Sequence, residues 1–198
     1  MNVFVLCTGR SGSHTFYEAC RHLTNYTASH ESQRTWVGKR RFEYPENHIA
    51  VDLRLAWMLG RMDTLWGKNA FYVHLTRDAK ECAKSWVRLC QLERINSSSR
   101  ALANLPEHLH RPGGPVWAHM HVQALKLAPL ELVAEDMVRS INSDIRLFLK
   151  DKDWMPLMLE RAEEDFPQFL DRIGAEGDLE AAKGEWRVKH EATIEADA

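Results

Sequence analysis

The sequence predicts an α/β fold, a mostly parallel sheet flanked by helices. Three observations carry that expectation. Val3-Phe4-Val5-Leu6 is a short continuous apolar run, the pattern of a strand buried on both faces. It passes through a small polar turn into a stretch with Phe16, Ala19, Cys20 and Leu23 on one helical face. Phe71-Tyr72-Val73-His74-Leu75 repeats the arrangement, with Arg77-Asp78 at its end and a helical pattern from Ala79. Strand, helix and strand in alternation build parallel sheets.

The whole chain, 1–198, reads as one domain with enough residues for a sizeable core. Lys and Arg number 26 against 28 Asp and Glu, so no basic excess points to nucleic acid. Cys7, Cys20, Cys82 and Cys90 fall inside predicted strand or helices and form no C-x-x-C pair. They read as reduced core thiols, which suits a cytoplasmic protein. No charged leader precedes the first strand, and no apolar run reaches the roughly 18 residues a membrane span needs. A cytoplasmic location with no membrane partner is therefore expected.

In chain order, residues 25–29 predict a short second strand leading into His30-Glu31. Residues 33–47 have no clean period and read as a surface excursion. Its Lys39-Arg40-Arg41 triplet is more often a solvated face than a binding patch. Ile49-Ala50-Val51 predicts a third strand, followed by a helix carrying Leu55, Met58, Leu59, Met62 and Leu65-Trp66, ended by Gly67. The Phe71 strand and a helix over 79–92 follow. Residues 95–114, rich in Ser and then in Pro and Gly, predict a long loop, a candidate lid or acceptor-binding element. Pro115 starts a helix through 128. Residues 130–133 predict the last strand and 136–150 a helix, with Asp136 as its cap. Residues 157–169 predict another helix, and Asp178 caps a final one.

Two turns carry the chemistry. Thr8-Gly9-Arg10-Ser11-Gly12-Ser13-His14-Thr15 joins a buried strand to a helix, so backbone N–H groups and a helix N-terminus converge on one spot. Arg10, Ser11, Ser13, His14 and Thr15 add side-chain donors, and Gly12 lets the backbone approach an anion closely. The turn is not a Walker A loop: Ser13-His14-Thr15 stands where Gly-Lys-Ser/Thr is required. At the second turn, Arg77 ends a strand and Ser85 lies about two helical turns further on, a spacing at which the two can converge on a second phosphate.

This ordered pair resembles the sulfotransferases that use 3′-phosphoadenosine-5′-phosphosulfate (PAPS). Their first loop, P-[KR]-[ST]-G-[ST]-[ST], holds the 5′-phosphosulfate; a strand ending R-D-P and a following helical Ser hold the 3′-phosphate. Here Gly9-Arg10-Ser11-Gly12-Ser13-His14 and Arg77-Asp78-Ala79 with Ser85 stand in that order. Ala134-Glu135-Asp136-Met137 is similar to the family's late Y-E-D-L, extending the likeness to about residue 150. Thr8-Gly9 replaces the usual Pro, His14 replaces a hydroxyl, and Ala79 replaces Pro.

The resemblance implies a P-loop-like nucleotide-binding architecture and sulfuryl transfer from PAPS to a hydroxyl or amine of a small-molecule or glycan acceptor. It implies that Arg10, Ser11, Gly12, Ser13, His14 and Thr15 bind the donor with Arg77 and Ser85. Arg10 and His14 would act at the leaving oxygen. It places the catalytic base at Glu31, with His30 second, since several members carry a carboxylate after the second strand. No metal is implied. His108 with His110, and His119 with His121, are two apart and do not share a helix face. Asp52 and Arg54 read as a structural ion pair, and the tryptophans as core or loop packing. Two rivals are a P-loop-like kinase or nucleotide hydrolase, disfavoured by the missing Walker Lys, and a non-catalytic nucleotide-binding domain.

Overall fold

The computed structural model describes residues 1–96 and 128–188, with backbone alone for 90–96. Among the described residues five strands form one all-parallel sheet: β1 (Val3–Cys7), β2 (Thr27–His30), β3 (His48–Val51), β4 (Phe71–Thr76) and β5 (Asp153–Met158). Their order is β2-β3-β1-β4-β5. The helices are α1 (Ser13–Cys20), α2 (Leu59–Leu65), α3 (Ala79–Asn96), α4 (Leu130–Leu149), α5 (Ala162–Ile173) and α6 (Leu179–Gly184).

β1 is central and all five of its residues are buried. Alternate side chains point to opposite faces of the pleat. Val3, Val5 and Cys7 therefore pack with Phe16, Ala19, Phe166, Phe169 and Leu170, from α1 and α5. Phe4 and Leu6 pack with Met62, Cys82, Met137 and Ile141, from α2, α3 and α4. Two helical layers thus enclose the sheet, as expected where every strand runs parallel. No helix among the described residues is long and apolar enough to cross a membrane.

The C-terminal third departs from the sequence reading. Residues 130–133 are not a strand but the first turn of α4, which starts after Pro129. Val133, Met137, Ile141, Ile145 and Leu149 recur every fourth residue along that one helix and are all buried. Asp136 consequently sits inside the helix, whose N-cap is Pro129. Residues 157–158, read as helix, belong to β5, and the helix begins only at Ala162. Pro156 lies within β5, tolerated because this is an edge strand with one unpaired side. After β3 the expected single helix is split into a 3₁₀ turn, Leu53–Trp57, and α2. Asp178 caps α6 as read, accepting the Ala181 N–H at 2.9 Å. The predicted loop 95–114 starts inside α3, which runs to Asn96. Its remainder, the Pro115 helix and the four histidines 108, 110, 119 and 121 lie outside the described residues.

Candidate functional site: an anion cradle at the ends of β1, β2 and β4

In an open α/β sheet, ligands bind beyond the carboxyl ends of the strands, where the strand order reverses. Here the chain runs from β1 out to the edge strand β2, returns through β3, then crosses β1 to reach β4. The turns after β1, β2 and β4 meet at that reversal.

The turn after β1 is left-handed at three positions, Gly9 (φ +74°), Arg10 (φ +55°) and Gly12 (φ +92°). A Cβ on Gly9 would lie 2.8 Å from the Trp86 ring, and one on Gly12 would lie 2.7 Å from Leu159 Cδ1. Gly9 is thus favoured by the rigid Trp86 ring as well as by φ, and Gly12 chiefly by φ, since the Leu159 methyl can give way. Gly12 is the N-cap of α1 and supplies no side-chain bond to the first-turn N–H groups; that turn carries no acidic residue. The backbone N–H groups of Ser13, His14 and Thr15 therefore stand at an uncapped, electropositive helix start. Ser11 Oγ is buried without an ordinary hydrogen-bond partner, and it stands close enough to the Cys7 thiol to act on it. Burial pushes that thiol up to about 12, against the Gly9 backbone and Ser11 bonds that lower it, so Cys7 is an inert core group.

The turn after β4 closes onto this one. Arg77 Nη1 donates to the Arg10 carbonyl at 3.3 Å, and Arg10 Nε donates to Ser85 Oγ at 3.1 Å. Arg77 forms no ion pair with the neighbouring Asp78 or Glu81. Asp78 instead caps α3 by accepting from the Lys80 and Glu81 N–H groups, and Glu81 pairs with Lys84 at 2.6 Å. Two guanidiniums and the α1 start thus share one corner, and Ser85 is tied to Arg10.

The third wall comes from β2. His30 Nε2 lies 3.3 Å from Ser13 Oγ, and the His30 ring stacks on Tyr17 at 5.9 Å. His14 stands edge-on to His30 at 5.4 Å and its Nε2 is 3.6 Å from Glu18. Glu31 is left-handed (φ +50°), its N–H bonded to the Val51 carbonyl at 3.0 Å. That conformation turns the chain abruptly away from β2 and holds Glu31 at the sheet edge.

The structure thus gathers Arg10, Ser11, Gly12, Ser13, His14, Thr15, His30, Arg77 and Ser85 around one turn, with Glu31 on its rim. Asp52 and Arg54, just beyond β3, are spent on each other. Arg54 donates to both Asp52 oxygens, Nε at 2.7 Å and Nη2 at 2.5 Å, and both residues are buried. Glu135-Asp136, matched to the late family motif, lies within α4 and not after a strand. A Glu-Asp pair following a strand occurs instead at Glu164-Asp165, beyond β5. Asp165 there accepts the Met158 N–H at 3.0 Å and closes the β5–α5 turn.

Sequence reasoning missed Tyr17 and Glu18, whose signal was their fourth-residue spacing from Ser13 and His14. It also missed Glu160, which accepts the Asp78 N–H at 3.0 Å and ties the β5 end to the start of α3. Leu159, Trp86 and Trp186, the walls behind the glycines, had no local signal because they come from distant elements.

No protein-family model, curated protein or solved structure matches the chain.

Proposed function

We propose that the protein is a sulfotransferase that moves a sulfuryl group from PAPS to a hydroxyl or amine of a small-molecule or glycan acceptor. The observation that carries this reading is the junction of the two turns: Arg77 on the Arg10 carbonyl, and Arg10 on Ser85. One nucleotide with anions at both 5′ and 3′ positions suits two basic turns at the ends of adjacent strands. A triphosphate needs a single cradle with a Lys, which this chain lacks.

In the proposed reaction the acceptor oxygen forms a bond to sulfur as the bond from sulfur to the bridging oxygen breaks. Adenosine 3′,5′-bisphosphate leaves. Catalysis rests on positioning and on charge placed where it develops. The α1 N–H groups and the Ser11, Ser13 and Thr15 hydroxyls hold the 5′-phosphosulfate. Arg10 and His14 face the charge that grows on the bridging oxygen. Arg77 and Ser85 hold the 3′-phosphate, Arg10 releasing Ser85 as it turns to the donor. The acceptor proton passes to Glu31 or His30, which end β2 beside the cradle.

Titration calorimetry with adenosine 3′,5′-bisphosphate tests the donor site. Binding is expected for the bisphosphate, weakly or not at all for 5′-AMP and ATP. Arg77→Ala should weaken it about tenfold or more, since a hydrogen bond to a charged group contributes about 1.5–3 kcal/mol. Preference for ATP, or indifference to Arg77→Ala, would sink the reading.

A further inference from the structure

α1 presents its first-turn N–H groups to the cradle, yet little within the helix fixes where that end lies. It has eight residues, about 12 Å, and helices shorter than about 12–15 residues are marginal on their own. Its N-cap, Gly12, makes no side-chain bond. Phe16, Ala19 and Cys20 pack on the sheet and set the distance of α1 from β1. Its position along its own axis depends on contacts at its ends.

Both ends are met by one segment, residues 176–187, which includes α6 and the 3₁₀ turn Glu185–Arg187. Beyond the C-terminus of α1, the Thr24 N–H donates to the Glu176 carbonyl at 2.7 Å and the Asp178 N–H to the His22 carbonyl at 3.1 Å. Leu23 and Gly177 form an antiparallel bridge there. A Cβ on Gly177 would strike the His22 carbonyl and stand 2.9 Å from Leu23 Cα, so the two backbones meet as closely as a glycine allows. His22 Nε2 also lies 2.8 Å from Glu185 Oε1. At the N-terminus of α1 the Trp186 ring backs Gly12, where a Cβ would lie 3.6 Å from Cζ3, and it stands edge-on to Phe16 at 6.0 Å. Phe166 of α5 packs on the same ring at 5.3 Å, and the fully buried Ala182 seats α6 in that core. Glu185 and Trp186, adjacent in the chain, thus engage His22 beyond one end of α1 and Gly12 at the other. A segment joined to both ends of a short helix sets where that helix begins. The setting matters because a misplacement of about 1 Å can cost a reaction about 100-fold.

We propose that residues 176–187 are a clasp that sets α1 along its axis, and that Trp186 is the positioning residue through which the clasp holds the α1 N–H groups toward the bound anion. The ligand named here rests on the sulfotransferase reading, so two probes are used: adenosine 3′,5′-bisphosphate and inorganic pyrophosphate. Each is titrated into wild type, Trp186→Ala, Trp186→Phe and Ile145→Ala, with urea midpoints measured alongside. Ile145 is buried on the other face of the sheet and controls for lost stability alone. Both probes should bind wild type, the bisphosphate more tightly. Trp186→Ala should weaken both by about tenfold or more, as coupling between a site and a distant element does. Trp186→Phe, which keeps a ring against Gly12, should restore most of the loss. Ile145→Ala should lower the urea midpoint and leave both affinities at the wild-type value. Coupling is reciprocal, so in wild type the bound bisphosphate should slow amide exchange across 179–187 more than across α4, a readout that needs no variant to fold. Wild-type affinity in Trp186→Ala, an equal loss in Ile145→Ala, or exchange across 179–187 that slows no more than across α4 overturns the proposal. Pyrophosphate bound with no preference for the bisphosphate removes the donor reading alone, and a loss of pyrophosphate binding in Trp186→Ala then still supports the clasp. Binding of neither probe to wild type overturns both.

Discussion

At the scale of the residue, the cradle holds a non-glycine in a conformation that glycine prefers. Arg10 sits at φ +55° between two glycines, an arrangement costing an L-residue about 1 kcal/mol or more. Its side chain recovers part of that through Ser85, and its carbonyl is fixed by Arg77. Comparison of two truncations separates strain from contact. Arg10→Ala keeps the strain and loses the bond; Arg10→Gly loses both. The glycine variant should therefore be the more stable by about 1 kcal/mol in urea denaturation, the reverse of the order in a helix. Both should bind adenosine 3′,5′-bisphosphate about tenfold or more weakly. Equal stability of the two would show that the turn relaxes freely and that Arg10 is not held under strain for a task. This part of the site was legible beforehand, because the strand, the paired glycines and the helix are contiguous in sequence. The wall behind the glycines was not, since Trp86 and Leu159 arrive from other elements.

At the scale of the element, the strands most buried in the sheet were the most legible and the C-terminal ones the least. β1 and β4 are continuous apolar runs flanked by turns, which no helix pattern imitates at that length. β5 is an edge strand containing Pro156, so its composition argued against a strand. α4 was divided because Leu130-Glu131-Leu132-Val133 imitates a short strand, although the fourth-residue repeat from Val133 to Leu149 runs unbroken. α4 is tied to the sheet by a buried polar bond, His74 Nε2 to Asn142 Oδ1 at 2.9 Å. Burial lowers His74 below its usual value near 6.5, with Arg146 adding to the effect and the Asn142 bond opposing it; burial alone also lowers His48. The unfolded chain therefore takes up protons below pH 6.5 that the folded chain resists. Stability should be full above about 6.5 and should fall as the pH drops from there toward the lowered folded values. Urea midpoints at pH 7.5 and 5.5 check this, with the lower midpoint expected at 5.5. In a His74→Leu/Asn142→Leu variant, which removes both polar partners at once, the drop should shrink. An unchanged drop would assign it to His48 or to carboxylates instead.

At the scale of the whole molecule, the strand order places β1 between the β2–β3 pair and the β4–β5 pair, and the cradle draws on both sides of the sheet. Gly12 and Arg10 follow β1; Arg77 and Ser85 come from beyond the crossover; Leu159 and Trp186 close from the C-terminal end. A ligand in this corner touches elements that the unfolded chain scatters, so its binding energy adds to global stability and not to one loop alone. At free ligand 100-fold above Kd, binding to the folded state alone adds about 2.7 kcal/mol. For a chain of this size each kcal/mol raises Tm by about 2–4 °C, so adenosine 3′,5′-bisphosphate at that excess should raise Tm by about 5–10 °C. Arg77→Ala should need about tenfold more bisphosphate for the same rise, and ATP at equal concentration should give less. A rise with the bisphosphate in wild type that Arg77→Ala leaves intact would confine the ligand to the β1 turn and detach β4 from the site. An equal rise with ATP would mean that the cradle reads phosphate charge without regard to where on the ribose it sits, and the two-anion geometry would lose its meaning.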